Sequence, residues 1–226
     1  LQYRNQRGEV WQIRSGHVGY THYWYRKLNY SEAEMTSIVS DFAKLVPKLA
    51  ELGVPLAAGD GKEQPHIDAE LICFNGVTAC GHPENSAVVI PWPSENASGV
   101  GNGYHGEQWF AGAKLDARTC DGDCSYETLY FPRSVPQDWF KQEDDKHKGL
   151  YFFCCKTAYR PYDLAVTAFL VIAKHHLGPD IAVSSDGEIQ HWIEAIALCR
   201  VHLGYEESYQ FSEDGGNLVA VSAASV

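Results

Sequence analysis

The segment from Leu150 to Gly204 constrains the fold more than any other part of the chain. LYFFCC, PYDLAVTAFLVIAKHHLG, DIAVSS and DGEIQHWIEAIALCRVHLG read in turn as strand, helix, strand and helix. The helix from Pro161 to Leu177 is apolar almost all round, so it needs cover on both sides. Its longest apolar run, Leu164 to Ala173, is broken only by Thr167 and has about half of the ~20 residues needed to cross a bilayer. It reads as a core helix, not a membrane span.

If the two strands of this unit run parallel and side by side, their C-terminal ends bring Lys156, Thr157, Arg160, Ser184, Ser185 and Asp186 to one rim. Ligands of open α/β units collect at such rims, because helix N-termini and loop side chains converge there. Arg160, in the N-cap position before Pro161, and Lys156 could clamp a phosphate or carboxylate. Thr157, Ser184 and Ser185 would bind the same ligand by hydrogen bonds. Asp186 and His191 are the candidate general acid/base groups if the site turns over its ligand. Folding alone also accounts for several of these residues. Ser185 with Glu188 has the capping-box spacing, and Asp186 and Asp163 each suit the first turn of a helix.

Upstream, Ser31 to Gly53 is the clearest helix. Ser31 and Glu34 form a capping box, and Met35, Ile38, Val39, Phe42, Leu45, Val46, Leu49 and Leu52 share one face. Gly53 marks its end. Val10 to Tyr30 reads as one or two strands rich in aromatic residues. Between Pro55 and Arg133 the runs Ala69 to Phe74, Ser86 to Trp92, Glu107 to Leu115 and Tyr126 to Phe131, punctuated by turn residues, read as an antiparallel meander. Pro132 to Lys148 is a charged connector with a short helix near Asp138 to Gln142. The expected fold is α+β: a mixed, largely antiparallel sheet with a C-terminal βαβα unit and helices packed on it. Residues 1–226 are read as one domain, with 1–8 and 214–226 poorly ordered.

A second constellation is Cys80-Gly-His82 with Cys120-Asp-Gly-Asp-Cys124, four ligands suited to zinc. Cys-x3-Cys lies in the structural zinc range, whereas Cys80 and His82, two residues apart, need a tight turn to reach one ion. Asp121-Gly122-Asp123 reads as a hairpin turn that sets Cys120 and Cys124 across its base, where a disulfide or two plain thiols are the competing outcomes. A third reading is a non-catalytic interaction or carbohydrate-binding module using Tyr20, Tyr23, Trp24 and Tyr25. His17 and His22 would face opposite sides of a strand, which argues against a metal shared by them. Glu188-x-x-His191 has the spacing of dimetal bundles, but no second copy occurs.

Other classes are disfavoured. The 18 basic and 29 acidic residues give a net charge of −11, which argues against nucleic acid or an anionic membrane as partner and favours a small molecule or another protein. Gly99, Gly101, Gly103 and Gly106 imitate a nucleotide loop but precede a strand-like run rather than a helix, so a surface loop is the better reading. No Walker or Gly-x-Ser-x-Gly pattern occurs. Seven irregularly spaced cysteines do not suggest a full disulfide framework; they point to a reducing, cytoplasmic setting.

Overall fold

The computed structural model describes residues 3–4, 10–11, 19–84, 86–88, 90, 118–139, 147, 149–213 and 216–221. The expected strand Glu107 to Leu115, the glycine-rich loop, His17 and most of the charged connector lie outside them. In chain order the strands and helices are β1 (Tyr3–Arg4), β2 (Val10–Trp11), β3 (Thr21–Arg26), α1 (Glu32–Glu51), β4 (Leu56–Ala57), β5 (His66–Ile67), β6 (Leu71–Gly76), β7 (Ser86–Val88), β8 (Arg118–Cys120), β9 (Leu129–Pro132), β10 (Tyr151–Lys156), α2 (Asp163–Leu177), β11 (Ile181–Ser185), α3 (Ile193–Leu203), β12 (Ser208–Phe211) and β13 (Leu218–Val221). All the strand pairs are antiparallel, and the fold is α+β. None of the described helices is long and apolar enough to cross a membrane.

α1 forms as its sequence dictates. Ser31 Oγ accepts from the Glu34 N–H while the Glu34 carboxylate accepts from the Ser31 N–H, which closes the capping box. Met35, Ile38, Phe42, Leu45 and Leu49 are buried at helical spacing, and Gly53 follows with φ +81°, the left-handed conformation that glycine adopts without strain. α2 is buried nearly all round, as its composition requires. Phe169 of α2 packs between α1 and the sheet formed by β6 and β9, with its ring edge-on to Phe131 at 5.1 Å, Phe42 at 5.5 Å and Phe74 at 6.3 Å. Trp24 on β3 is 1% exposed and stacks on Phe153, so this ring belongs to the core rather than to a binding surface.

The C-terminal unit departs from expectation in one decisive respect. β10 and β11 run in the same direction but are not neighbours, because β3 lies between them and pairs antiparallel with both. β3 can serve as a central strand because its alternate residues His22, Trp24 and Arg26 are buried and both its edges are bonded, in the antiparallel pairing that is slightly the more stable kind. The rim survives in altered form: Lys156 stands opposite Thr21 and Ser185 opposite His22, with the ends of β10 and β11 two strand spacings, about 10 Å, apart.

Three local expectations change as well. α2 begins at Asp163, two residues past Pro161, with Tyr162 as its N-cap; the Asp163 N–H donates to the Arg160 carbonyl, so Arg160 belongs to the preceding turn. The capping box near β11 is formed by Glu188 and His191 instead of Ser185 and Glu188, because Ser185 Oγ accepts from the nearer Gly187 N–H. In the C-terminal tail, β13 pairs with β12 and buries Leu218 completely, giving that short apolar run a partner its polar flanks do not announce.

Candidate metal centre

Cys80, His82, Cys120 and Cys124 converge, with one ligand atom of each within 4.8 Å of all the others. Cys80 Sγ lies 3.4 Å from Cys120 Sγ, Cys124 Sγ 3.3 Å from Cys120 Sγ, and His82 Nδ1 3.3 Å from Cys124 Sγ. A tetrahedral zinc with ordinary Zn–S and Zn–N bonds sets its ligand atoms about 3.6–3.8 Å apart, so around an ion the three short pairs would open by a few tenths of an ångström while pairs nearer the 4.8 Å limit would close. All seven cysteines are free thiols.

Local backbone chemistry explains how ligands so close in sequence meet. Gly81 has φ +81°, and this left-handed residue makes the tight turn that Cys80-x-His82 needs. Gly122, at φ +78°, does the same for the Cys120–Cys124 loop. Pairing of β7 with β8, Ser86 opposite Cys120, brings the first ligand pair to the second. The Cys124 N–H donates to the Val77 carbonyl. A Cβ on Gly76 would lie 2.0 Å from the Cys124 carbonyl oxygen, so only glycine admits the end of β6 this close.

The electrostatics suit a cation. Burial raises the Cys80 thiol, but hydrogen bonds from the His82 backbone, from Cys120 and Cys124, and from the His82 ring outweigh it and bring it down to about 7. Cys124 is pushed far up, first by burial and then by hydrogen bonds and charge from Cys120 and Cys80. Three sulfurs in contact cannot all ionise without a positive charge among them, and a dication supplies it. Cys80 and His82 also line a cleft of about 300 Å³ with Cys124, Val54, Pro55 and Tyr162.

The rim residues take separate partners. Lys156 Nζ sits 5.7 Å from the Tyr126 ring centroid, whereas Arg160 donates to Asp121 Oδ2 at 2.8 Å. Ser184, opposite Tyr23, points to the sheet face away from Ser185. Asp186 accepts from the Thr21 N–H and the Tyr23 hydroxyl, and His191 Nδ1 accepts from the Glu188 N–H. Thr157 is fully buried and donates to Asp163 Oδ1 at 2.5 Å.

Thr157 and Ser185 lead into a buried polar cluster for which sequence reasoning gave no expectation. His22 Nε2 lies 2.7 Å from Asp163 Oδ1 and His22 Nδ1 lies 2.9 Å from Ser185 Oγ. Arg118 donates to Glu194 and holds Nε 3.9 Å from Asp163 Oδ2, while its Nε and Nη2 have no hydrogen-bond partner. Burial alone would raise the Asp163 carboxyl, but His22, Arg118 and the Thr157 hydroxyl outweigh it and hold the group below its ordinary range. Burial, reinforced by Asp163, keeps the Tyr20 phenol protonated. Ala158 and Tyr159 are consecutive non-glycine residues at φ +50° and +54°, which costs about 1–3 kcal/mol each; this loop sets the Tyr159 ring 4.9 Å from Tyr20. Compared with models of protein families, with curated proteins and with solved structures, the chain matches none.

Proposed function

We propose that this chain is a zinc protein in which Cys80, His82, Cys120 and Cys124 hold one Zn²⁺. The observation that carries the reading is the convergence of three thiols and an imidazole within 4.8 Å, from two loops each turned by a left-handed glycine. Soft sulfur donors with one imidazole select zinc over the hard cations. Four protein ligands complete a tetrahedron and leave no open position, so the ion is structural: it ties the segment after β6 to the loop after β8. Structural zinc contributes to folding directly, with apparent binding free energies of about 10–16 kcal/mol in small zinc modules at neutral pH.

Elemental analysis of the purified protein, with native mass spectrometry, tests this. One zinc per chain, lost in the Cys120→Ser/Cys124→Ser double variant, is expected. Cobalt(II) added in place of zinc should give the visible absorption of a tetrahedral thiolate site. Absence of stoichiometric zinc, together with failure to take up zinc or cobalt under reducing conditions, would overturn the reading.

A further inference from the structure

The cluster at the start of β3 has a connectivity distinct from the metal centre's. Ser185 Oγ, His22 and Asp163 form a chain with links of 2.9 and 2.7 Å. Asp163 is an acceptor that already takes the Thr157 hydroxyl, so the His22 proton facing it lies on Nε2. That tautomer leaves Nδ1 as an acceptor. Ser185 Oγ accepts from the Gly187 N–H at 2.9 Å, so its own proton is free to go to His22 Nδ1. Serine, imidazole and carboxylate are thus arranged as nucleophile, base and orienting group. The ring is fixed by edge contacts with Trp192 at 5.2 Å and Tyr20 at 5.1 Å.

Two neighbours shape the surroundings of the serine. The Tyr20 hydroxyl is buried within hydrogen-bonding influence of Ser185, and a Cβ on Gly187 would lie 1.9 Å from it, so glycine is what lets this hydroxyl approach the turn after Ser185. Arg118, fully buried, keeps Nε and Nη2 unpartnered. Ser185 itself is only partly buried, so the nucleophile is the accessible end of the chain and the carboxylate its buried end.

We infer that Ser185 is an activated nucleophile, with His22 as its general base and Asp163 as the orienting carboxylate, in a centre that hydrolyses small acyl esters. In the first half-reaction Ser185 Oγ bonds to the acyl carbon and its proton passes to His22 Nδ1. The carbon–alkoxide bond then breaks, and the alkoxide takes that proton and leaves as alcohol. Water attacks the acyl-serine, gives a proton to His22, and the carboxylic acid departs as that proton returns to Ser185 Oγ.

The test uses an alkyl fluorophosphonate on the intact, metal-containing protein, with the adduct located by peptide mass spectrometry. This reagent forms a Ser–O–P bond and expels fluoride, with the serine proton going to His22. The expected result is an adduct on Ser185 that is absent in Ser185→Ala and forms about 10²–10⁴-fold more slowly in His22→Gln. Ser185→Ala removes one partly buried hydroxyl, so it should fold like the parent; it should abolish hydrolysis of p-nitrophenyl acetate. This variant keeps the inference testable if His22→Gln does not fold. No adduct on Ser185, adducts only elsewhere, an unchanged labelling rate in folded His22→Gln, or unchanged ester hydrolysis in Ser185→Ala would overturn it.

Discussion

Asp163→Asn changes one buried oxygen to an amide at nearly constant volume, and its cost follows from the contacts. Asp163 Oδ1 accepts from His22 Nε2 at 2.7 Å and Thr157 Oγ1 at 2.5 Å. A hydrogen bond to a charged group is worth about 1.5–3 kcal/mol, roughly twice a neutral one, so neutralising the acceptor loses about 1.5–3 kcal/mol over the two. The new NH₂ occupies the Oδ2 position, 3.9 Å from Arg118 Nε, where donor faces donor; an unsatisfied buried donor costs about 1–3 kcal/mol more. The sum is about 2.5–6 kcal/mol. For a chain of this size each kcal/mol shifts Tm by about 2–4 °C, giving a fall of about 5–24 °C by calorimetry at pH 7. Asp186→Asn is the control, since Asp186 is exposed, and should move Tm by no more than a few degrees. The pH dependence has a definite sign. Because the folded-state pKa of Asp163 is depressed, its contribution is present above the unfolded carboxyl pKa of about 3.9 and is lost as pH falls through the lower folded value. The Asp163→Asn deficit should therefore shrink on acidification. A Tm within about 1 °C of the parent at pH 7 would refute the claim that Asp163 is the charged acceptor of the His22 and Thr157 hydrogen bonds.

The remaining predictions concern the metal centre and the core. Gly76→Ala puts a methyl group 2.0 Å from the Cys124 carbonyl oxygen, a backbone atom that cannot swing aside; Cys124 should shift, zinc occupancy by elemental analysis should fall, and stability should drop by about 1–3 kcal/mol in urea denaturation. Zinc ligation requires deprotonated sulfur, so acidification should release the ion with uptake of protons by the thiolates, followed as colour with a pyridylazo chelator. Phe169→Ala removes the ring that meets Phe42, Phe74 and Phe131; the expected cost is about 3–5 kcal/mol, seen as one cooperative transition at lower temperature. Separate transitions for the two main sheets would contradict the shared core.

What could be read from residues alone follows from the range of the interactions. The capping box of Ser31 and Glu34, the buried stripe from Met35 to Leu49 and the Gly53 terminus are set within a few residues of one another, so they are visible in the chain. The two ligand pairs are visible for the same reason, since Gly81 and Gly122 lie inside the turns they make. Their convergence is not, because it depends on pairing of β7 with β8, whose Ser86 and Cys120 stand far apart in sequence. Insertion of β3 between β10 and β11 joins residues more than 120 positions apart, and no local pattern encodes it. The Ser185–His22–Asp163 chain draws on three such segments. Two signs of it were present: His22 shares a strand face with Trp24, and Asp163 opens a helix that is otherwise apolar all round. Asp163 alone is fully explained by the helix dipole, so its second role emerges only once β3 lies against it.

The metal centre and the polar cluster are mechanically continuous through β8. Arg118 and Cys120 are two residues apart on a strand and therefore share a face; both are fully buried, while Thr119 between them is exposed. One strand thus delivers a metal ligand to one site and a guanidinium to the other. The adjoining loop is fastened at two further points, by the Thr119 N–H donating to the Tyr159 carbonyl and by Arg160 donating to Asp121. Tyr159 is one of the two left-handed non-glycine residues, and its ring lies against Tyr20 and the Arg118 guanidinium. Strain of that kind persists only where the surroundings over-determine the backbone. The zinc proposed on Cys120 and Cys124 would provide such a constraint, since it would fix the end of β8 on which both fastenings and the Arg118–Glu194 pair depend.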